Sequence, residues 1–111
     1  MFKHSRQGAV EVVQGDAPLN IDRIAEVETL LEACEQTGQP RIVFDLALVP
    51  LIDSSGLELL LDLRDRCLQK GGAVKLAAPN NLCEEILRIT GVGEKFEVFD
   101  DAVAAAGSFA Q

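Results

Sequence analysis

Four consecutive residues, Asp53-Ser54-Ser55-Gly56, set two hydroxyls beside a carboxylate at the entry to a leucine-dense segment. Residues of these types can do three different things. Ser55 with Glu58 fits the S-x-x-E capping box, in which the hydroxyl accepts from the Glu58 amide and the carboxylate reaches back. That device is worth about 1 kcal/mol and explains one serine, not both. A serine nucleophile would instead need a base within hydrogen-bond reach and a third group to orient it. His4, the one histidine, falls at what reads as a loose terminus, and "IDSSG" is not the G-x-S-x-G elbow. The third use is as a phosphoacceptor. A serine at a helix start is exposed, and a phosphate on it would face free backbone amides and the positive end of the helix dipole. Nearly two negative charges would then sit next to Asp53, repelling a docked partner while the fold stays still. The residues disfavour catalysis and leave capping and modification both open.

Other chemistry finds little support. The glycines form neither G-x-G-x-x-G nor a Walker loop, so no nucleotide cofactor is expected. No cluster of His, Cys and carboxylates with ligand spacing stands out, so no metal is expected either. Cys34, Cys67 and Cys83 are odd in number, lack a C-x-x-C pair and lie in apolar helical patterns. They read as buried thiols in a reducing compartment. A net charge of −8, with ten scattered basic residues, argues against nucleic acid as a partner. No signal-peptide pattern opens the chain, and no apolar run approaches the roughly 18 residues of a membrane span. A cytoplasmic protein without direct membrane insertion is expected.

The elements that must position the serines follow from periodicity. With 111 residues, nearly half of them apolar, the chain suits one domain, residues 1–111. Residues 8–14, "GAVEVVQ", read as a strand, with residues 2–6 a possible strand before it. Asn20 can cap a helix from Ile21 to about Gln36, whose inner face would be Ile21, Ile24, Val27, Leu31 and Cys34. Gly38 suits its left-handed end and Pro40 cannot continue it. "RIVFDLALV", Arg41 to Val49, is apolar at most positions, as in a strand buried on both faces. Leu57 to Gln69 form the next helix, and a Gly71-Gly72 turn leads into another strand. A helix from Asn81 to Ile89 would bury Leu82, Cys83, Ile86, Leu87 and Ile89, with Gly91 stopping it. "KFEVF" is a last strand, and Asp100 can cap a final helix. The order β(β)αβαβαβα predicts an α/β fold with a mixed, mostly parallel sheet of four to five strands and about four α-helices.

The element order and "FDLALVPLIDSSGLELLLDLRDRCLQKGGAVKLAAPNNLCEEILRITGVGEKFEVFDD" resemble the STAS domain, named for sulfate transporters and anti-sigma factor antagonists. The likeness is nearest to the stand-alone bacterial antagonists. It covers nearly the whole chain and is strongest from Ile42 to Asp101. The resemblance implies a non-enzymatic binding module that switches partners. Unphosphorylated, it would hold an anti-sigma factor, itself a serine kinase of the histidine-kinase-like ATPase fold, and so free a sigma factor. That kinase would phosphorylate the serine after the aspartate, Ser54, with Ser55 as the capping residue and fallback acceptor, and a PP2C-type phosphatase would reverse the step. Partner contacts are implied for Gly15, Asp16, Asp53, Ser54, Ser55, Gly56, Leu57 and Glu58. The "GELD"-like turn of many antagonists is here "GDAPLNID", in which Pro18, Leu19 and Asn20 depart from the pattern. That departure also admits a constitutive STAS subunit of a phospholipid-trafficking ABC complex, or a component of a sensory or motility relay.

Overall fold

Strands and helices alternate along the chain as β1 (Phe2–Gln7), β2 (Val10–Gly15), α1 (Ile24–Cys34), β3 (Arg41–Asp45), α2 (Ser54–Gln69), β4 (Ala73–Ala77), α3 (Asn81–Thr90), β5 (Val98–Phe99) and α4 (Ala102–Ser108). A short 3-10 turn, Val92–Lys95, precedes β5. These elements come from a computed structural model, which describes residues 1–110. The sheet runs β1-β2-β3-β4-β5. A tight hairpin pairs β1 antiparallel to β2, and the other neighbours are parallel. The α/β fold with a mixed, mostly parallel sheet is therefore the one the periodicity predicted.

Strand order equals chain order, so each crossover steps the same way across the sheet. Crossovers of one hand then place their helices on one face. The core reflects this. Val27 and Leu31 of α1, Leu57, Leu60 and Leu63 of α2, and Cys83 and Leu87 of α3 pack with Val13, Ile42 and Phe44 on that face. The other face is covered by α4, where Ala105 meets Val10, Val12, Val43 and Ala77. Ile42, Val43 and Phe44 are fully buried, so β3 lies between two layers. Its sequence is apolar without alternation for that reason.

Several boundaries differ from the sequence expectation. Helix α1 begins at Ile24. Asn20 does not cap it: the Asn20 side chain accepts from the Asp22 amide and its carbonyl from the Arg23 amide, closing a local turn. Ile21 consequently falls outside the helix and is 66% exposed. The helix ends at Cys34, and Gly38 is not among the glycines with positive φ, although Gly91 is, at 78°. Strand β3 stops at Asp45, whose carboxylate accepts from the Ala47 amide and turns the chain. Leu82 and Ile89 of α3 face outward. Asp101, not Asp100, caps α4 by accepting from the Ala104 amide. His4 is not at a loose end but in mid-strand, opposite Val13.

Candidate functional site

Helix α2 starts where β3 leaves the sheet and doubles back over it. Its N-cap is Asp53, in an extended backbone conformation, whose Oδ1 accepts from the Gly56 amide at 2.9 Å. Ser55 is therefore not the capping residue. Asp competes at least as well as Ser for that position, and it stands two residues earlier, so Ser54 and Ser55 become the first two residues of the helix. Among the described residues Glu58 makes no return bond, and the capping-box reading fails. The first intrahelical bond runs from the Leu57 amide to the Asp53 carbonyl. The Ser54 and Ser55 amides lie ahead of it, at the positive end of the helix dipole.

Asp53 does more than cap. Its Oδ2 accepts from the Ile21 amide at 3.2 Å, tying the turn before α1 to the start of α2. The same two segments form a short parallel bridge. The Leu19 amide donates to the Leu51 carbonyl at 3.0 Å and the Asp53 amide to the Leu19 carbonyl at 3.1 Å. Gly56 makes this approach possible. A Cβ there would lie 2.2 Å from the Leu19 carbonyl oxygen and 2.8 Å from the Ile52 side chain. A side chain at position 56 would force the two segments apart.

The two serines then separate in role. Ser54 is exposed. Ser55 is half-buried and lines a groove of about 220 Å³ between α1 and α2, with Ile21, Ile24, Glu58, Leu59 and Asp62. Leu57 points into the core while Glu58 stays exposed. Gly15 and Asp16 end β2 at the same pole of the sheet. Gly15 is buried under the Phe2 ring and is thus a packing residue. Asp16 is exposed, and the N-terminal ammonium bonded to it holds its carboxyl below the usual aspartate range. The fold gathers all eight sequence-selected residues at one end of the sheet, but only Asp16, Ser54 and Glu58 of them are exposed.

Three further surface residues escaped the sequence reading. Ile21, Leu48 and Leu51 are apolar yet 66%, 69% and 37% exposed, on the loops that flank Ser54. No local signal marked Ile21 and Leu48: the sequence places one on a helix face and the other in the strand Arg41 to Val49, and only the later start of α1 and the earlier end of β3 leave them in loops. Ile21 lines the groove beside Ser55 with Glu28, Glu58 and Asp62, and Leu48 lies with Gly15 and Asp16, so apolar surface alternates with acidic groups. Such a surface suits protein contact more than small-molecule chemistry.

The sequence and fold compare with known proteins as follows. A family model described as the STAS domain matches residues 4–105. Among curated proteins, none matches. A candidate anti-sigma factor antagonist from Thermotoga maritima superposes with a TM-score of 0.90 at 20% identity, covering 99% of this chain and 95% of its own. The anti-sigma factor antagonist SpoIIAA, in its unphosphorylated form, gives 0.85 at 16% identity, with 99% and 96% covered. The murine anion transporter Slc26a9 gives 0.80 at 20% identity over 96% of this chain, but over only 18% of the transporter. At these identities the likenesses establish the shared fold.

Proposed function

The chain belongs to the STAS domain family, and on that premise we propose that it is an anti-sigma factor antagonist switched by phosphorylation of Ser54. The observation that carries this reading is the exposed Ser54 hydroxyl at the first turn of a helix whose start is fixed by Asp53 and Gly56. In the unphosphorylated state, Ile21, Leu48, Leu51 and the first turn of α2 hold an anti-sigma factor and release its sigma factor. That partner is a serine kinase of the histidine-kinase-like ATPase fold, and a PP2C-type phosphatase restores the binding state. The protein itself catalyses nothing: it is acceptor and ligand.

The switch follows from local electrostatics. A phosphate on Ser54 is tolerated by the helix because the Ser54 and Ser55 amides face it. The docked partner is not so placed. It meets nearly two added negative charges, beside Asp53, in a surface whose apolar contacts require desolvation. The fold stays the same and the affinity changes. Exposure also favours Ser54 over Ser55, which lies half-buried in the α1–α2 groove.

The test is intact-mass spectrometry of the protein incubated with ATP and a kinase of this class from the same genome, beside Ser54→Ala. One added phosphoryl that is absent from the variant, together with a partner affinity lowered at least tenfold, about 1.4 kcal/mol, supports the switch. An active kinase that adds no mass, or equal affinity of the two forms, overturns it. A constitutive protein-binding role would then be favoured, as for a STAS subunit of a phospholipid-trafficking ABC complex or of a sensory or motility relay.

A further inference from the structure

Where the β1–β2 hairpin meets the end of α1 lies a second group of chemically capable side chains. His4 on β1, Glu11 on β2 and Cys34, the last residue of α1, each offer a donor atom, and these atoms all lie within 4.8 Å of one another. His4 Nδ1 is 3.1 Å from Glu11 Oε2. Glu11 is an acid on the core-facing side of a central strand with its side chain only 11% exposed, and Cys34 is 1% exposed. We propose that His4, Glu11 and Cys34 form a binding site for a zinc-class transition-metal ion, with its fourth position left to water.

The donor set selects the ion. A thiolate, an imidazole and a carboxylate together suit Zn²⁺ and its cobalt substitute, whereas Mg²⁺ and Ca²⁺ take oxygen donors. Zinc-to-ligand bonds of about 2.0–2.3 Å put donors roughly 3.3–3.7 Å apart in a tetrahedron. The three donors here need to close by up to about 1.5 Å, within the reach of side-chain rotation. Charge also balances. One carboxylate and one thiolate match the charge of the divalent ion, which lowers the cost of holding it in a partly buried site.

The surroundings fit as well. Glu11 turns Oε2 toward His4 and Oε1 toward Arg6 Nη1, at 3.7 Å, so one oxygen can ligate while the other is held by the guanidinium. Ligating carboxylates commonly have such an outer partner. The His4 side chain is 35% exposed and gives the ion and its water a way in. Burial, with Glu11 and Glu35 nearby, pushes the Cys34 thiol up to about 12, so it enters as the thiol. Binding breaks the S–H bond, forms the metal–sulfur bond and passes one proton to solvent. Ligation through Nδ1 uses the neutral tautomer that carries its proton on Nε2. The simpler role for the same residues is an ion pair between His4 and Glu11 that satisfies a buried acid, and the experiment separates the two.

The full chain, reduced and metal-free, is titrated with Co²⁺ alone. With no Trp or Tyr in the chain, the near-ultraviolet is clear for the thiolate-to-cobalt band, and the visible bands report tetrahedral geometry. One equivalent of Co²⁺, displaced by Zn²⁺ but not by Mg²⁺, is expected. Cys34→Ser should abolish the thiolate band. His4→Ala, at a partly exposed position where folding is retained, should weaken binding at least about 100-fold, more than loss of an outer partner usually does. Cys67→Ser and Cys83→Ser should bind as wild type. Absence of a stoichiometric band in the wild type overturns the site. So does a band that survives both Cys34→Ser and His4→Ala, or one lost in Cys67→Ser while Cys34→Ser retains it.

Discussion

Two helices begin side by side at the Ser54 pole, and they begin differently. Helix α2 has an aspartate N-cap with extended backbone, a bonded first turn and a buried glycine at its third position. Helix α1 has Arg23 at its N-cap, in a helical conformation and without a side-chain cap bond, after a three-residue turn that leaves Ile21 in solvent. One start is built to stay still and the other is tethered by its neighbour, through the Ile21 amide bonded to Asp53 and the Leu19 bridge before it. A switch on Ser54 needs both properties. The acceptor must be presented in one geometry, while the apolar residue beside it must be free to meet a partner.

Removing the close approach between the two starts should have the largest effect. Gly56→Val places side-chain carbons against the Leu19 carbonyl, which is backbone and cannot rotate away. The expected loss is about 3 kcal/mol, the upper part of the range for overpacked sites, seen as a lower midpoint in urea. An unchanged midpoint would mean that the bridge between Leu19 and Ile52 is not held in solution. Asp53→Ala should come next, at about 2 kcal/mol, because it removes the α2 cap and the tether to Ile21 together. Asp53→Asn keeps one acceptor oxygen. It should retain the cap and release Ile21, so hydrogen exchange at the Ile21 amide accelerates while the amides of α2 stay protected. That pair of variants distinguishes a shared carboxylate from two independent helix starts.

The difference between these starts also marks how far the sequence could be read. The sheet and its helices were legible because burial imposes a period: the leucines of α2 and the unbroken apolar run of β3 have no other explanation. Helix caps were less legible. Asp53, Ser54 and Ser55 all favour an N-cap, and the capping-box spacing pointed to Ser55. The outcome rests on a tertiary fact, the Leu19 carbonyl and Ile21 amide arriving beside Asp53, which no local pattern records. Ile21 was placed on the inner face for a related reason. Its spacing is helical, but the Asn20 turn delays the helix by three residues and reverses its environment. His4 is the same lesson in a strand: only the hairpin register and the end of α1 bring it to Glu11 and Cys34.

The serines test the cap assignment at smaller amplitude. Ser54→Ala and Ser55→Ala should each change stability by no more than about 0.5 kcal/mol, the usual limit for exposed or half-exposed sites without a structural bond. A loss near 1 kcal/mol in Ser55→Ala alone would restore Ser55 as the cap and displace Asp53. Asn20→Ala, which removes only the turn bond to the Asp22 amide, should likewise cost about 0.5 kcal/mol, with faster exchange before α1 and none within α2.

The smallest effect should come from acid and should fall on the looser side of the molecule. Glu26, in the first turn of α1, accepts from the Phe2 amide at 2.9 Å and so fastens the edge strand β1 to that helix. This bond, aided by Arg23, holds the Glu26 carboxyl below the ordinary glutamate range. A carboxyl lowered in the folded state stabilises it above the ordinary, unfolded pKa. The contribution fades as pH falls from that value through the folded one. As pH falls below the ordinary glutamate value, amides at the start of β1 should therefore lose protection before those of β3 and β4, and α2 should not respond. Glu26→Gln should remove this step while leaving the remainder of the acid profile in place. If β1 loosens at the same pH in both proteins, the strand is held by the Phe2 ring under α1 and not by the carboxylate.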